Sequence, residues 1–193
     1  MRIIAGKYKG HQLVAFKADH IRPTTDRVKE TLFNQIQFDI ADASILDLFC
    51  GTGNLGLESL SRDASHCTFV EKNTKSLTIT RQNIEKLKVP AGSYKIINME
   101  VISFLKSYKG APFDIILADP PFTEKMAHFV VEAASHSEAF GPNTLLAIES
   151  ERKERMDDEY GDLIRYKVKE FGDKYLSMFR HKSSVAAPEE DNG

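Results

Sequence analysis

Short apolar runs alternate with amphipathic segments along most of the chain. The runs predict strands, and the segments between them, with apolar residues spaced at three and four, predict helices. Strands are expected at SILDLF, HCTFVE, YKIIN, FDIILA and TLLAIE, and helices at GTGNLGLESLSR, NTKSLTITRQNIEKLK, VISFLKSY and residues 124–138. Strand and helix in alternation predict a doubly wound α/β fold with a mostly parallel sheet.

The two ends of the chain depart from this alternation. Residues 1–22 are typical of short strands and turns, and RPTTDRVKETLFNQI then opens a helix with an apolar stripe at Val28, Leu32 and Ile36. Thr25 or Asp26 is expected to cap that helix. LIRYKVKEF and YLSMFR are expected to pair antiparallel, and PEEDNG to fray. We therefore divide the chain into a basic N-terminal extension (1–40), a main domain (41–183) and a flexible tail (184–193).

Length and composition narrow the class of protein. A chain of 193 residues, 41% hydrophobic and 28% charged, suits one globular domain with a small appendage. No apolar run is long enough to cross a bilayer, and the apolar stretch in MRIIAGKYKG is too short for a signal peptide. Cys50 and Cys67 stand outside any CxxC or His/Cys cluster. We therefore expect a cytoplasmic protein that neither spans a membrane nor binds a metal, and we take it to be a monomer by default.

A glycine-rich turn follows the first predicted strand of the alternation. In DLFCGTGNLG, residues Gly51, Gly53 and Gly56 satisfy GxGxxG, which lets the backbone turn tightly and a ligand approach its amides. The motif alone is weak, because a tight turn needs glycine with or without a ligand. Glu71 ends the second strand, where an acid can bind a ribose hydroxyl pair. Loop and acid together favour an adenosine-containing cofactor.

The cofactor class depends on two further features. Asp47, just before the loop, suits a cationic methionine moiety better than a pyrophosphate. Asp119-Pro120-Pro121-Phe122 then closes the fourth predicted strand, where prolines cannot continue the ladder. Asp119 and the Pro120 carbonyl can accept the two N–H bonds of a planar amino group, and Phe122 offers a ring for stacking a base. We interpret Asp119 as an orienting acceptor and a candidate proton acceptor.

These segments resemble the RsmD family, bacterial 16S rRNA guanine-N2 methyltransferases. The likeness is carried by MRIIAGKYKG, RPTTDRVKETLFN, ILDLFCGTGNLGLESLSR, FVEKN, ADPPF and FGDKYLSMFR. It implies a Rossmann-like class I methyltransferase with a seven-stranded sheet, helices on both faces and S-adenosylmethionine as cofactor. It also implies methylation of the exocyclic N2 of one guanine in 16S rRNA, as naked RNA or in an assembling small ribosomal subunit.

The resemblance also implies roles for single residues. The cofactor side comprises Asp47, Cys50, Gly51, Gly53, Glu71, Lys72, Met99 and Glu100, and the target-amine motif comprises Asp119, Pro120, Pro121 and Phe122. Members of the family usually have Asp where this chain has Glu100, so the contact to the adenine amine is kept, shifted or replaced by the Met99 backbone. Cys50 is interpreted as a small residue lining the pocket, since a nucleophile would belong to ring-carbon methylation.

Basic residues are concentrated at the start of the chain. Residues 1–30 carry a net charge of +4, whereas the rest carries −6. A basic, turn-rich segment fits contacts to RNA phosphates that position a substrate without reading its sequence. The expected RNA-binding residues are Arg2, Lys7, Lys9, Arg22, Thr24, Thr25 and Arg27.

Three rival functions share some of these features. A nicotinamide-dependent oxidoreductase shares the glycine loop and Glu71, but it leaves Asp119 to Phe122 without a role. A non-catalytic RNA-binding protein needs no intact cofactor loop. Adenine-N6 methylation of DNA or RNA is the nearest alternative, because the proline motif accepts any planar amine.

Overall fold

A computed structural model describes residues 1–15, 26–123, 125–154 and 156–185. The helices are α1 (Asp26–Gln35), α2 (Asn54–Ser61), α3 (Thr74–Lys86), α4 (Val101–Ser107) and α5 (Met126–Ser135). The strands are β1 (Ser44–Leu48), β2 (His66–Glu71), β3 (Tyr94–Asn98), β4 (Ile115–Ala118), β5 (Leu145–Glu151), β6 (Glu159–Tyr160), β7 (Leu163–Phe171) and β8 (Lys174–His181). None of the helices described is both long and apolar enough to cross a membrane.

All the strands described join one sheet in the order β3-β2-β1-β4-β5-β8-β7-β6. The pairs from β3 to β5 are parallel, and β8, β7 and β6 are added antiparallel. The predicted doubly wound α/β fold is confirmed, as is the antiparallel pair β7–β8. The sheet has eight described strands where the resemblance implied seven, because Glu159–Tyr160 forms a two-residue edge strand before the turn into β7.

Two apolar layers cover the sheet because side chains alternate along each strand. Ile45 on β1 packs with the N-terminal segment and helices α1, α2 and α3, whereas Leu46 and Leu48 pack with α4 and α5. Ile3 and Leu13 belong to the first layer, so the N-terminal segment shares the core of the sheet. From β1 the chain first adds β2 and β3 on one side and then β4 and β5 on the other side, so the strand order reverses between β1 and β4. Ligands of such sheets bind at the carboxyl ends of the strands at this reversal.

Candidate functional site

The glycine loop leaves β1 and enters α2 through left-handed backbone. Gly51 has φ +55° and Gly53 has φ +82°, backbone conformations that residues other than glycine rarely adopt. A Cβ at Gly51 would meet only the Phe49 carbonyl oxygen, 3.8 Å away, so the loop is open there. A Cβ at Gly53 would lie 3.1 Å from Thr80 and 3.2 Å from Leu57. Gly51 therefore leaves room for a ligand, whereas Gly53 is needed for packing as α2 begins.

The third glycine of the motif has a structural role. A Cβ at Gly56 would lie 2.3 Å from Phe69 and 2.6 Å from the sulfur of Cys67, both in β2. Glycine lets α2 lie directly on the strands. The Gly56 N–H then reaches Asp47 Oδ2 at 2.8 Å.

Asp47 is a buried carboxyl group at the end of β1, with 1% of its surface exposed. Burial raises its pKa to about 8, and the nearby charges of Asp119 and Glu71 act in the same direction against the Gly56 hydrogen bond. Asp47 therefore holds a proton at neutral pH. The charges of Asp119 and Glu71 produce a negative local potential that favours a cation, and a bound cation would favour ionisation of Asp47 as well.

Glu71 joins the end of β2 to the glycine loop. Its Oε2 accepts the Gly51 N–H at 3.3 Å, and its Oε1 accepts the Asn73 N–H at 2.8 Å. Asn73 in turn caps α3 with its side-chain oxygen. The strand-end acid and the loop are thus brought together, as the sequence predicted for adjacent parallel strands.

Cys50 is a buried thiol within the loop. Burial raises its pKa well above the ordinary value, so the sulfur stays protonated and is a poor nucleophile. Its backbone N–H donates to the Val70 carbonyl at 3.2 Å, which fixes the loop against β2. This environment fits a residue that packs in the loop and takes no part in covalent chemistry.

The segment after β3 supplies the remaining residues on the cofactor side. Both carboxylate oxygens of Glu100 accept hydrogen bonds from the first turn of α4, at Ile102 and Ser103. These bonds and the charge of Lys72 lower the pKa of Glu100 against the opposing effect of desolvation by burial. Met99 donates its N–H to the Glu71 carbonyl at 3.2 Å and leaves 40% of its surface exposed. The Glu100 carboxylate is therefore a helix cap, and Met99 offers an exposed side chain.

The proline corner begins one residue after β4. Asp119 is half-buried, Pro120 is buried, and Pro121 and Phe122 are exposed. The Thr123 N–H donates to the Pro121 carbonyl at 2.7 Å, which closes a tight turn before α5. Because β1 and β4 are parallel neighbours, the corner lies beside the glycine loop, and the Asp119 charge acts on Asp47.

The basic N-terminal residues lie on a turn that packs on α2. Arg2, Lys7 and Lys9 are exposed. Arg2 Nε lies 3.0 Å from Asp26 Oδ2, and Lys7 Nζ lies 3.8 Å from Asp63 Oδ1. Arg22, Thr24 and Thr25 lie outside the described residues.

Arg27 lies in a cleft that adjoins the proline corner. It is exposed in the first turn of α1 and lines a cleft of about 400 Å³ with the β7–β8 turn and Lys174. Lys174 also contacts Phe122, so this cleft and the proline corner share a side chain.

Two buried ion pairs were not predicted from the sequence. Lys29 of α1 lies 3.1 Å from Glu58 of α2, which also binds Arg62 at 2.9 Å. Glu58 accepts the N–H groups of Ile4 and Ala5 as well, so it anchors the N-terminal turn. A charged residue within an apolar helical stripe was the available signal.

The second buried pair joins neighbouring strands. Lys174 of β8 lies 2.9 Å from Glu149 of β5. The signal here was an acid ending an apolar strand, the same signal that identified Asp47. Among the side chains that the structure describes, no group of His, Cys, Asp or Glu is arranged to hold a metal ion.

Comparisons with known proteins agree with this arrangement. The family model described as conserved hypothetical protein 95 matches residues 1–180. The ribosomal RNA small subunit methyltransferase D of Haemophilus influenzae is 37% identical over 153 residues, 79% of each chain, and that of Escherichia coli is 38% identical over 151 residues, 78% of this chain and 75% of the relative.

A solved structure extends the likeness to the whole fold. The putative methyltransferase yhhF from Escherichia coli superimposes with a TM-score of 0.83 at 33% identity, covering 94% of this chain and 97% of the other. The family match spans both the glycine loop and the proline corner. The chain therefore belongs to this family, the RsmD family of methyltransferases.

Proposed function

We propose that this protein transfers a methyl group from S-adenosylmethionine to the exocyclic N2 amine of a guanine in 16S rRNA. The observation that carries the proposal is the adjacency of two elements at the switch point of the sheet. The open glycine loop follows β1, the Asp119 corner follows the neighbouring β4, and the charge of Asp119 helps to raise the pKa of Asp47. A methyl donor and a planar amine would thus meet at one edge.

The residues around the loop fit S-adenosylmethionine. Gly51 leaves space over the loop, and the half-buried Glu71 offers carboxylate oxygens for ribose hydroxyls. The acidic surroundings of Asp47 suit a cationic methionine moiety, and the exposed side chain of Met99 can cover the adenine. The exposed Lys72 completes this surface, and Cys50, Gly53 and Glu100 support it through packing of the loop and capping of α4. The cofactor supplies an electrophilic methyl group on a sulfonium.

The chain's own contribution is to hold and orient the amine. Asp119 and the Pro120 carbonyl accept its two N–H bonds, which directs the nitrogen lone pair away from the corner. Phe122, on the rigid turn after Pro121, stacks against the base. Such positioning lowers the barrier by removing the need to order the reactants. The nitrogen becomes acidic as it gains the methyl group, and Asp119 is the candidate acceptor of the released proton.

The choice of RNA as substrate rests on the relatives and on the basic N-terminal turn. Relatives at 37–38% identity are named for methylation of small-subunit ribosomal RNA. Arg2, Lys7, Lys9 and Arg27 are exposed cations suited to phosphate contacts, with Arg22, Thr24 and Thr25 as further members. The guanine must be unstacked or in a loop to reach the corner.

Mass mapping of rRNA tests the proposal. Small-subunit rRNA from cells with and without this protein is digested, and the fragments are compared by mass. We expect one guanine fragment to be lighter by one methyl group in cells without the protein. A missing methyl on adenine would identify the adenine-N6 alternative, and unchanged fragments would contradict rRNA methylation.

Asp119→Ala is the variant that examines the mechanism. We expect methyl transfer to fall at least about a hundredfold because the amine loses its orienting acceptor. Cofactor affinity should change less than about twofold. Titration calorimetry and transfer of a labelled methyl group measure the two quantities. Activity within a few-fold of the parent would remove Asp119 from the mechanism.

A further inference from the structure

A buried ion pair lies next to the proline corner, on the same edge of the sheet. Lys174 Nζ is 2.9 Å from Glu149 Oε2, and the two residues are 6% and 2% exposed. The desolvation of two buried charges offsets much of their attraction, and apolar replacements of such pairs are often neutral or stabilising. Stability alone is therefore a weak explanation for charges at this position.

The strand register brings the pair close to Asp119. Strands β4 and β5 pair Ala118 with Ile148, and the next residues along the two strands are Asp119 and Glu149. Strands β5 and β8 pair Glu151 with Lys174. One set of backbone hydrogen bonds thus links the proline corner to the ion pair.

Lys174 makes a second contact, to the corner itself. Its Nζ lies 4.7 Å from the centre of the Phe122 ring, within the range of a cation–π interaction. Phe122 is 39% exposed, so part of its surface remains available to a ligand. The Lys174 ammonium is bound by Glu149 and contacts the Phe122 ring. A chain of contacts thus connects the core of the sheet to the exposed surface of the proline corner.

We propose that Lys174 is a positioning residue that fixes the Phe122 ring as the stacking surface for the target guanine. This inference rests on the proposed function. A ring that moved freely would let the base rotate about its bonds to Asp119 and Pro120, and the amine would lose its alignment. The ammonium also draws π-electron density toward itself, which favours stacking of an electron-rich purine on the exposed part of the ring.

A paired replacement separates this role from a structural one. Lys174→Met combined with Glu149→Leu removes both charges and leaves neither partner unpaired. We expect kcat to fall about tenfold, as for removal of a desolvated cation–π interaction. Dissociation constants for S-adenosylmethionine and RNA should stay within about twofold, because phosphate contacts dominate RNA affinity. Thermal unfolding checks that the fold is retained.

A double-mutant cycle tests whether Lys174 acts through Phe122. In a Phe122→Leu background the paired replacement should lower kcat by less than about twofold, because residues acting through one contact are not additive. Lys174→Arg, which keeps a cation over the ring, should retain kcat within about threefold of the parent. The matched control is Lys182→Met with Glu159→Leu, which removes an exposed ion pair between β6 and the segment after β8 and should leave kcat unchanged.

The substrate is small ribosomal subunits from cells lacking the protein, with S-adenosylmethionine labelled in the methyl group. A tenfold loss that disappears in the Phe122→Leu background supports the inference. Full activity of the paired replacement, or an equal loss in both backgrounds, overturns it while the proposed function stands. Failure of the parent to methylate a guanine in these subunits overturns the proposed function, and the inference with it.

Discussion

At the scale of single residues, Asp47 carries a buried carboxyl group beside the glycine loop. At neutral pH it is mostly protonated because its pKa lies near 8. A cation bound over the loop would favour the ionised form and lower this pKa. Binding of S-adenosylmethionine is therefore expected to release a proton from Asp47, and the affinity should rise as pH increases from 6 to 8.

Titration calorimetry in two buffers with different ionisation enthalpies measures this proton release directly. The release should disappear in Asp47→Asn, and it should persist in Asp42→Asn, which changes an exposed carboxylate near the amino end of β1. An equal enthalpy in both buffers for the parent at pH 7 would contradict the protonated Asp47.

The same group also affects folding stability. Its folded pKa is raised above the unfolded value, so the folded state binds more protons between about pH 4 and 8. The stabilisation from the protonated Asp47 is complete below about pH 4 and is lost as pH rises to 8. The fall in the free energy of unfolding over this window should be smaller in Asp47→Asn.

The sequence predicted which acids end strands, but not their chemical state. Asp47, Glu71 and Asp119 follow apolar runs, and parallel pairing brings their strand ends together. Protonation of Asp47 depends on burial by α2 and on two neighbouring acids, which are properties of the packed structure. The capping of α4 by Glu100 was not predicted either, because Glu is not among the residues that usually occupy the N-cap position of a helix.

At the scale of elements, the N-terminal turn is fitted to α2 by one glycine. Gly6 has φ +80°, and a Cβ there would lie 1.7 Å from the Ser61 carbonyl oxygen. The turn is also bonded through the Lys7 N–H to the same oxygen at 2.8 Å. Any side chain at position 6 would push the turn away from α2.

Gly6→Ala tests this fit against a matched control. Gly10 has φ +86° but open space around its missing Cβ, so Gly10→Ala adds only backbone strain of about 1–2 kcal/mol. Gly6→Ala should destabilise by about 2 kcal/mol more, because a backbone oxygen must move. Chemical denaturation gives the two free energies, and hydrogen exchange of residues 1–15 should accelerate in Gly6→Ala. Equal destabilisation by the two substitutions would contradict the close fit.

Most elements were predicted because the α/β alternation gives each its own apolar pattern. Strands β2 and β3 have the predicted bounds, and β4 is two residues shorter at its start. The strand β6 was missed, since two residues carry no period. Its formation depends on the turn to β7 and on Tyr160 packing against α5, which are tertiary effects.

At the scale of the whole molecule, the N-terminal turn packs in the same apolar layer as the helix that follows the glycine loop, and this loop adjoins the proline corner. The proposed RNA contacts of Lys7 and Lys9 lie on the first layer of the sheet, on the α2 side. Contacts to phosphates contribute affinity that depends on salt but carry no sequence information.

Lys7→Glu combined with Lys9→Glu tests these contacts. We expect the RNA affinity to fall. The slope of the logarithm of the binding constant against the logarithm of salt concentration should decrease in magnitude by about two, one for each phosphate that is no longer neutralised. Cofactor affinity should not change. The control, Lys106→Glu with Lys109→Glu on the α4 side, should bind RNA as the parent does. RNA affinity equal to the parent's in the first variant would exclude the turn from the interface.

The cluster of Lys29, Glu58 and Arg62 binds the N-terminal turn and also sets its spacing from the glycine loop. It ties the N-terminal turn to α2, and α2 begins at the glycine loop, so the residues proposed to bind phosphates are held at a set spacing from the proline corner. Under the proposed function, the enzyme would accept an RNA whose backbone presents a guanine at that spacing from the phosphates bound by the N-terminal turn. Choice among many guanines would follow from substrate shape, without any need to read neighbouring bases.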